Sequence, residues 1–139
     1  MSLADVRRVL ADPTAHLEGN TPEVPLDACA YLESKALPEH LGFMFGKGRV
    51  VRIDVSSVGI RTASGAGVGD TEAKIKVLYP GLITVEPHHY DPENGHYLNY
   101  SPHDKTDRGY GIVFETDGTV VTEFRVGTLA AIALVEGCS

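Results

Sequence analysis

Two helix signatures 68 residues apart, in a chain of 139 residues, constrain this fold more than any other feature. The first, Ser2-Leu3-Ala4-Asp5-Val6-Arg7-Arg8-Val9-Leu10, opens on a good cap and carries Asp5 in its first turn. Its Leu3, Val6 and Leu10 share one face, and Pro13 follows the expected end. The second runs over 70–79. Asp70 is placed to cap it, Glu72 to favour the positive end of the helix dipole, and Pro80-Gly81 to stop it. With Ser2 laid over Asp70, Val9-Leu10 falls on Val77-Leu78 and Glu18 on Glu86. At an offset of 69, Gly42-Phe43-Met44-Phe45 falls on Gly111-Ile112-Val113-Phe114. One residue further on, Gly48-x-Val50-Val51 meets Gly118-x-Val120-Val121.

The segments between the helices read as strands. Residues 82–86 and 96–100 are two short ones. Residues 42–45 and 49–55 flank Gly46-Lys47-Gly48 as a hairpin, and 111–114 and 120–126 flank a turn containing Asp117-Gly118 as a second. A last strand is predicted over 129–135, with 58–62 as its counterpart. The order helix, strand, strand, hairpin, last strand is thus given twice, the mark of a duplicated unit. The predicted fold class is α+β: two tandem repeats, 1–69 and 70–139, each a short helix plus an antiparallel meander of about four strands. A unit of ~68 residues with few large apolar side chains is marginal alone. The two are therefore expected to pack as one compact domain, with a continuous or facing sheet and the helices on one side.

The formal net charge is −7, from 12 Lys and Arg against 19 Asp and Glu. Nucleic-acid binders carry a basic face, so no nucleic-acid partner is expected. No apolar run approaches the ~18 residues of a membrane span, so none is predicted. Two cysteines, Cys29 and Cys138, stand in no CxxC and lack a Cys or His neighbour at zinc spacing. They read either as two buried thiols of a cytosolic protein or as one disulfide of an exported one. The second reading is preferred, because Cys138 is the penultimate residue and a bridge there pins a tail that would otherwise fray. The expectation is then a periplasmic or envelope-associated protein whose signal segment is not present in this chain.

Four of the six histidines, His88, His89, His96 and His103, fall close together, with the loop Asp91-Pro92-Glu93-Asn94-Gly95 among them. Imidazole and carboxylate at a loop tip suit Zn²⁺, Ni²⁺ or Cu²⁺. The spacing fits no HxH or HExxH motif, however, and adjacent His88 and His89 point to opposite sides of an extended segment. Solvated histidines are the plainer reading, and no metal or other cofactor is predicted. Tyr90, Tyr97, Tyr100 and Tyr110 cluster in the same stretch. Tyrosine on an exposed sheet face anchors a protein partner or stacks on a sugar; the rival reading is that these rings finish the core at its edges. Tyr97 and Tyr100, three apart, face opposite sides of a regular strand, so one is expected in the core and one exposed. Gly65-Ala66-Gly67-Val68-Gly69-Asp70 has the setting of a phosphate-cradling loop. It lacks the Lys-Ser/Thr of a P-loop, and Asp70 puts negative charge where a phosphate would sit, so it reads as a linker between the repeats. There is no GxSxG, and neither cysteine has a neighbouring histidine. Glu86, Asp91, Glu93, Asp104 and Asp107 show no distinctive spacing, so no catalytic set is predicted.

The capped helix, the Pro/Gly stop and the antiparallel meander together resemble the beta-lactamase-inhibitor-protein-like fold, which is shared with small outer-membrane assembly lipoproteins. That resemblance implies two tandem units forming one curved sheet. The second half carries Gly67-Val68-Gly69-Asp70-Thr71-Glu72-Ala73, Leu78-Tyr79-Pro80-Gly81, Gly95-His96-Tyr97-Leu98, Phe114-Glu115-Thr116-Asp117-Gly118 and Glu136-Gly137-Cys138. In these it resembles a group of bacterial exported proteins with no established activity. The inhibitor's units hold their bridges inside each repeat, whereas a Cys29–Cys138 bridge would link the first repeat to the C-terminus. None of the inhibitor's contact residues is therefore carried over, and fold likeness does not bring function. The function expected is non-enzymatic: binding of another macromolecule through a sheet face or the loop rim, with Tyr90, Tyr97, Tyr100, His88, His89 and His96 as contact residues. The alternative is a small-molecule, sugar or metal-binding module using 88–103. The third reading is a hydrolase, favoured by any cleft that joins two carboxylates, or a histidine and a carboxylate, with shifted pKa values.

Overall fold

The computed structural model describes residues 1–18 and 29–138. In chain order they form α1 (Leu3–Leu10), β1 (His16–Leu17), β2 (Ala30–Glu33), β3 (Leu41–Gly46), β4 (Arg49–Val55), α2 (Glu72–Leu78), β5 (Ile83–Pro87), β6 (His96–Tyr100), β7 (Tyr110–Thr116), β8 (Val121–Thr128) and α3 (Leu129–Ile132). The fold is α+β: one antiparallel eight-stranded sheet, in the order β1-β2-β3-β4-β8-β7-β6-β5, with short helices. Among the described residues no helix is long and apolar enough to cross a membrane.

Local chemistry accounts for the element ends. Ser2 and Asp5 form a reciprocal capping box, with Ser2 Oγ accepting from the Asp5 N–H and Asp5 Oδ2 accepting from the Ser2 N–H at 2.9 Å. At α2 the cap is Thr71, whose Oγ1 accepts from the Lys74 N–H at 3.1 Å, and not Asp70 as the sequence suggested. Asp70 instead turns back: its Oδ2 accepts from the Gly67 N–H at 2.9 Å and from Arg61, and its Oδ1 from Lys74. The Gly-rich stretch is thereby closed by its own aspartate. The β3–β4 hairpin turns on Lys47 and Gly48, at φ 52° and 73°, as a two-residue primed turn requires.

Two predicted strands are corrected. Residues 129–135 are not a strand: α3 starts where Thr128 Oγ1 accepts from the Ala131 N–H, and Ala131 and Ile132 are its buried residues. A continuous apolar run such as Leu-Ala-Ala-Ile-Ala-Leu-Val has no period that separates the two states. Residues 58–62 contribute only the isolated bridge Arg61↔Gly67, because Thr62 closes a tight turn with Gly65 and Ala66.

The sheet halves β1–β4 and β5–β8 meet where β4 pairs antiparallel with β8, Ile53 opposite Val126 and Asp54 opposite Arg125. Gly127 lies in this seam between Arg52 of β4 and Gly111 of β7. A Cβ there would come within 2.2 Å of the Val51 carbonyl oxygen, so the close approach of the strands demands glycine. Alternation then sorts the side chains. One face receives α2, through Ile75 packed with Val55, Leu98, Phe114 and Phe124. It also receives α1, through Val6 packed with Leu32 and Phe45. Fully burying a side chain such as Phe114 or Ile75 contributes roughly 1.5–3 kcal/mol each. The helices are not all on one side: α3 lies on the opposite face, where Ile132 packs with Tyr97 and Val113.

Candidate functional site

The α3 face carries the chemistry. On β4, Ile53 and Val55 point to the helix pair, so Arg52 and Asp54 point the other way. The same alternation on β8, β7 and β6 delivers Glu123 and Arg125, Val113 and Glu115, and Tyr97 and Asn99. Register places Glu115 opposite both Glu123 and Tyr97, and Arg125 opposite both Asp54 and Val113. Arg52 and Arg125 are 5% and 4% exposed. Arg125 Nη1 donates to Glu115 Oε1 at 2.9 Å and its Nε to the Ile132 carbonyl at 2.6 Å, with the guanidinium 5.5 Å from the centre of the Tyr97 ring. Arg52 Nε donates to Asp54 Oδ1 at 2.7 Å, and its Nη1 to the Ala131 and Leu134 carbonyls at 3.0 and 2.5 Å. The two arginines therefore hold the last carbonyls of α3 and the segment after it. Tyr31 donates to Asp54 Oδ2 at 3.2 Å, which carries the network to β2.

Glu115 and Glu123 are cross-strand neighbours, so both cannot ionise without repulsion. The hydrogen bond to Glu115, then partial desolvation, then the charge of Glu115 raise Glu123 to about 7. Burial pushes Glu115 up, but hydrogen bonds from Glu123 and Arg125 outweigh it and hold that carboxyl below the usual range. The pair thus keeps one proton near neutrality. For Glu123, with its folded value above the ordinary 4.5, the stabilising contribution is full below pH 4.5 and disappears as pH rises through about 7. Glu115 acts in the opposite sense, its contribution being lost as pH falls below 4.5. Glu123→Gln keeps a donor toward Glu115 and removes the titration. The wild-type melting temperature should therefore fall relative to that of the variant between pH 4.5 and 7.5. Parallel melting curves across that range would show that no shared proton exists.

The predicted site residues divide between the faces. His88, Tyr90 and Tyr97 come together on the α3 side. The His88 ring lies 4.7 Å from that of Tyr97, its Nδ1 accepts from the Tyr90 N–H at 3.2 Å, and its Nε2 is 3.8 Å from Glu115 Oε1. The Tyr97 hydroxyl accepts from the His89 N–H at 3.2 Å, and His89 sits edge-on to Tyr90. Tyr90 is 61% exposed and its hydroxyl donates to Glu136. His96 and Tyr100 face the other way. His96 Nδ1 lies 2.7 Å from Glu72 Oε1, to which Thr116 also donates, and the Tyr100 ring packs 4.3 Å from Tyr79. The expectation that one of Tyr97 and Tyr100 is exposed fails, since Tyr97 is buried and Tyr100 half-buried, each against its own face. His103 is exposed in the connection between β6 and β7. With His88 and His96 on opposite faces, 88–103 presents no common ligand set. Among the described residues no group of three His, Cys, Asp or Glu side chains converges in a metal-holding geometry. Of the acids without distinctive spacing, Glu86 lies in β5 and accepts from Asn99, and Asp91 accepts from Asn94.

A cavity of about 320 Å³ lies between this face and α3, with Tyr97, Asn99, Arg125 and Ile132 in its lining; neither Glu115 nor Glu123 reaches it. Cys29 and Cys138 are joined in a disulfide, which ties the segment after α3 to the start of β2. Sequence reasoning missed Arg52, Asp54, Glu115, Glu123 and Arg125. The available signal was charge at alternate positions of otherwise apolar strands, as in Val51-Arg52-Ile53-Asp54-Val55 and Glu123-Phe124-Arg125-Val126. Comparison of the chain with protein-family models, with curated proteins and with solved structures finds no match in any of the three.

Proposed function

We propose that this chain is a non-enzymatic exported protein that binds a macromolecular partner through the α3 face of its sheet, with Tyr90, His88 and His89 at the rim of the contact. The observation that carries this reading is the charge layout of that face. Its two arginines are buried and bonded inward, whereas Glu86 and Glu136 stand exposed, Glu136 bonded to the exposed Tyr90. A partner with a basic patch and a pocket for a tyrosine matches that layout. A sheet braced by ion pairs and a disulfide loses little freedom on association, which favours affinity. Persistence of the disulfide fits an oxidising compartment, periplasmic or envelope-associated.

The same reading takes 1–69 and 70–139 as tandem repeats in a beta-lactamase-inhibitor-protein-like arrangement. It is supported by a strand order that runs outward from the β4–β8 seam as β4 to β1 on one side and β8 to β5 on the other. It is also supported by α1 and α2, one per half, lying on one face. With a photo-crosslinking residue in place of Tyr90, an envelope extract of the native source should yield a discrete adduct that high salt abolishes. The same group at Val77, 75% exposed on α2, should yield none. Equal adducts from both positions, or none from Tyr90, would overturn the reading.

A further inference from the structure

The cavity beneath α3 carries an inference independent of the partner reading, and either can fail alone. At about 320 Å³ it lies at the small end of ligand pockets. Asn99, Val113 and Arg125 line it from the sheet, Ile132 and Val135 give it an apolar wall, and exposed Glu86 stands at its edge. Arg125 is 4% exposed. Its Nε and Nη1 are taken by the Ile132 carbonyl and Glu115, whereas Nη2 has no partner among the described residues. Arg125 is itself a lining residue of the cavity, and Nη2 is its nitrogen not engaged by Ile132 or Glu115. A nine-tenths-buried arginine thus lines the space with one guanidinium nitrogen left for a bound group.

The charges restrict what fits. Glu115 already matches the charge of Arg125, so the cavity offers a donor without surplus positive charge. Glu86, tethered by Asn99 Nδ2 at 3.1 Å, offers an acceptor and repels anions. A cation finds the inner carboxylate already engaged by Arg125. The remaining ligand accepts a hydrogen bond at one end, donates one at the other, and turns an apolar surface to Ile132 and Val135. A hydroxyl both donates and accepts, and a sugar ring carries hydroxyls on its rim and C–H groups on its faces. We propose that the cavity beneath α3 binds a neutral sugar ring of monosaccharide size, held by Arg125, Asn99 and Glu86.

The test is amide chemical-shift titration of the intact, disulfide-bonded chain with glucose, galactose and N-acetylglucosamine, and with glucuronate and glucosamine as charged analogues. At least one neutral sugar should give saturable shifts confined to Asn99, Val113, Ile132, Val135 and their neighbours. Glu86→Gln and Asn99→Ala, both at positions outside the core, should each weaken binding about tenfold, the scale of one hydrogen bond to a charged group. Ala133→Leu, which fills the cavity from an exposed position, should abolish it. Three results would overturn the proposal: no saturable shift with any neutral sugar up to tens of millimolar, tighter binding of either charged analogue than of its neutral parent, or binding undiminished in both weakened variants.

Discussion

Reduction of the Cys29–Cys138 bond is expected to lower the melting temperature of this chain by roughly 6–16 °C at neutral pH. The bridge spans a sequence separation of 109 residues. In the chain-entropy account a loop of ~100 residues is worth about 4.7 kcal/mol, and measured bonds more often deliver about 2–4. At roughly 3–4 °C per kcal/mol for a chain of this size, the stated shift follows. The effect acts chiefly through the unfolded ensemble, because the segment it pins has other holds on the folded sheet. Arg52 donates to the Ala131 and Leu134 carbonyls, Ile132 is buried with Tyr97 and Val113, and Gly137 packs against the Tyr31 ring so closely that a Cβ would meet the hydroxyl oxygen at 2.5 Å. Cys29→Ser/Cys138→Ser should therefore keep the native circular dichroism spectrum while melting at the same lowered temperature as reduced wild type. Amide exchange should quicken first in 134–138. A shift of less than about 3 °C on reduction, roughly one kcal/mol, would mean that the bridge constrains little and that the arginine contacts suffice.

How far the fold could be read depended on whether its signal was local. The α1 cap and the turns were legible: Ser2 with Asp5, the Lys47-Gly48 hairpin and the Asp117-Gly118 turn each state their geometry within four residues, whereas the α2 cap falls on Thr71 and not on Asp70. The strand pair β3–β4 and the strands β5 to β8 followed from such stops. The fate of 129–135 was not legible, because it is decided by what the run meets after β8, namely a sheet face with two arginines in need of carbonyl partners. The candidate site was half legible for a similar reason. His88, Tyr90 and Tyr97 were visible as residue types, but period-two alternation within His96-Tyr97-Leu98-Asn99-Tyr100 sends His96 and Tyr100 to the opposite face. Glu115 and Glu123 read as ordinary strand charges until antiparallel register sets them side by side. Register is a long-range property, and no pair spacing along the chain announces it.

The second large effect is expected from Arg125→Met. Methionine keeps the unbranched stem against Tyr97 and removes the guanidinium. Glu115, with 9% of its side chain exposed, then faces Glu123 with no cation bonded to it. Removing one partner of a buried pair costs about 3–5 kcal/mol, more than the intact pair itself contributes, because the stranded charge has lost water and gained nothing. The cost must depend on pH. With Arg125 gone, Glu115 loses the hydrogen bond and the charge that pull it down, and Glu123 loses a charge that pulls it down, so both carboxyls of the pair move up from where they stand in the native chain. A raised folded value gives a contribution that is present at low pH and lost as pH rises, so the variant should be most damaged near pH 8 and recover part of its stability by pH 5. Arg125→Met/Glu115→Gln should recover more, since it leaves no unpaired charge in the core of that face. Recovery stays incomplete, because the Ile132 carbonyl has also lost its donor, at about 1–3 kcal/mol for a buried group left unpaired. Urea denaturation of the single and double variants at pH 5 and pH 8 separates these contributions. A loss below about 1 kcal/mol at pH 8 would be that of an exposed ion pair and would remove the Arg125–Glu115 pair as the brace of the α3 face. A double variant no better than the single would assign the damage to the lost carbonyl contact and the unseated α3.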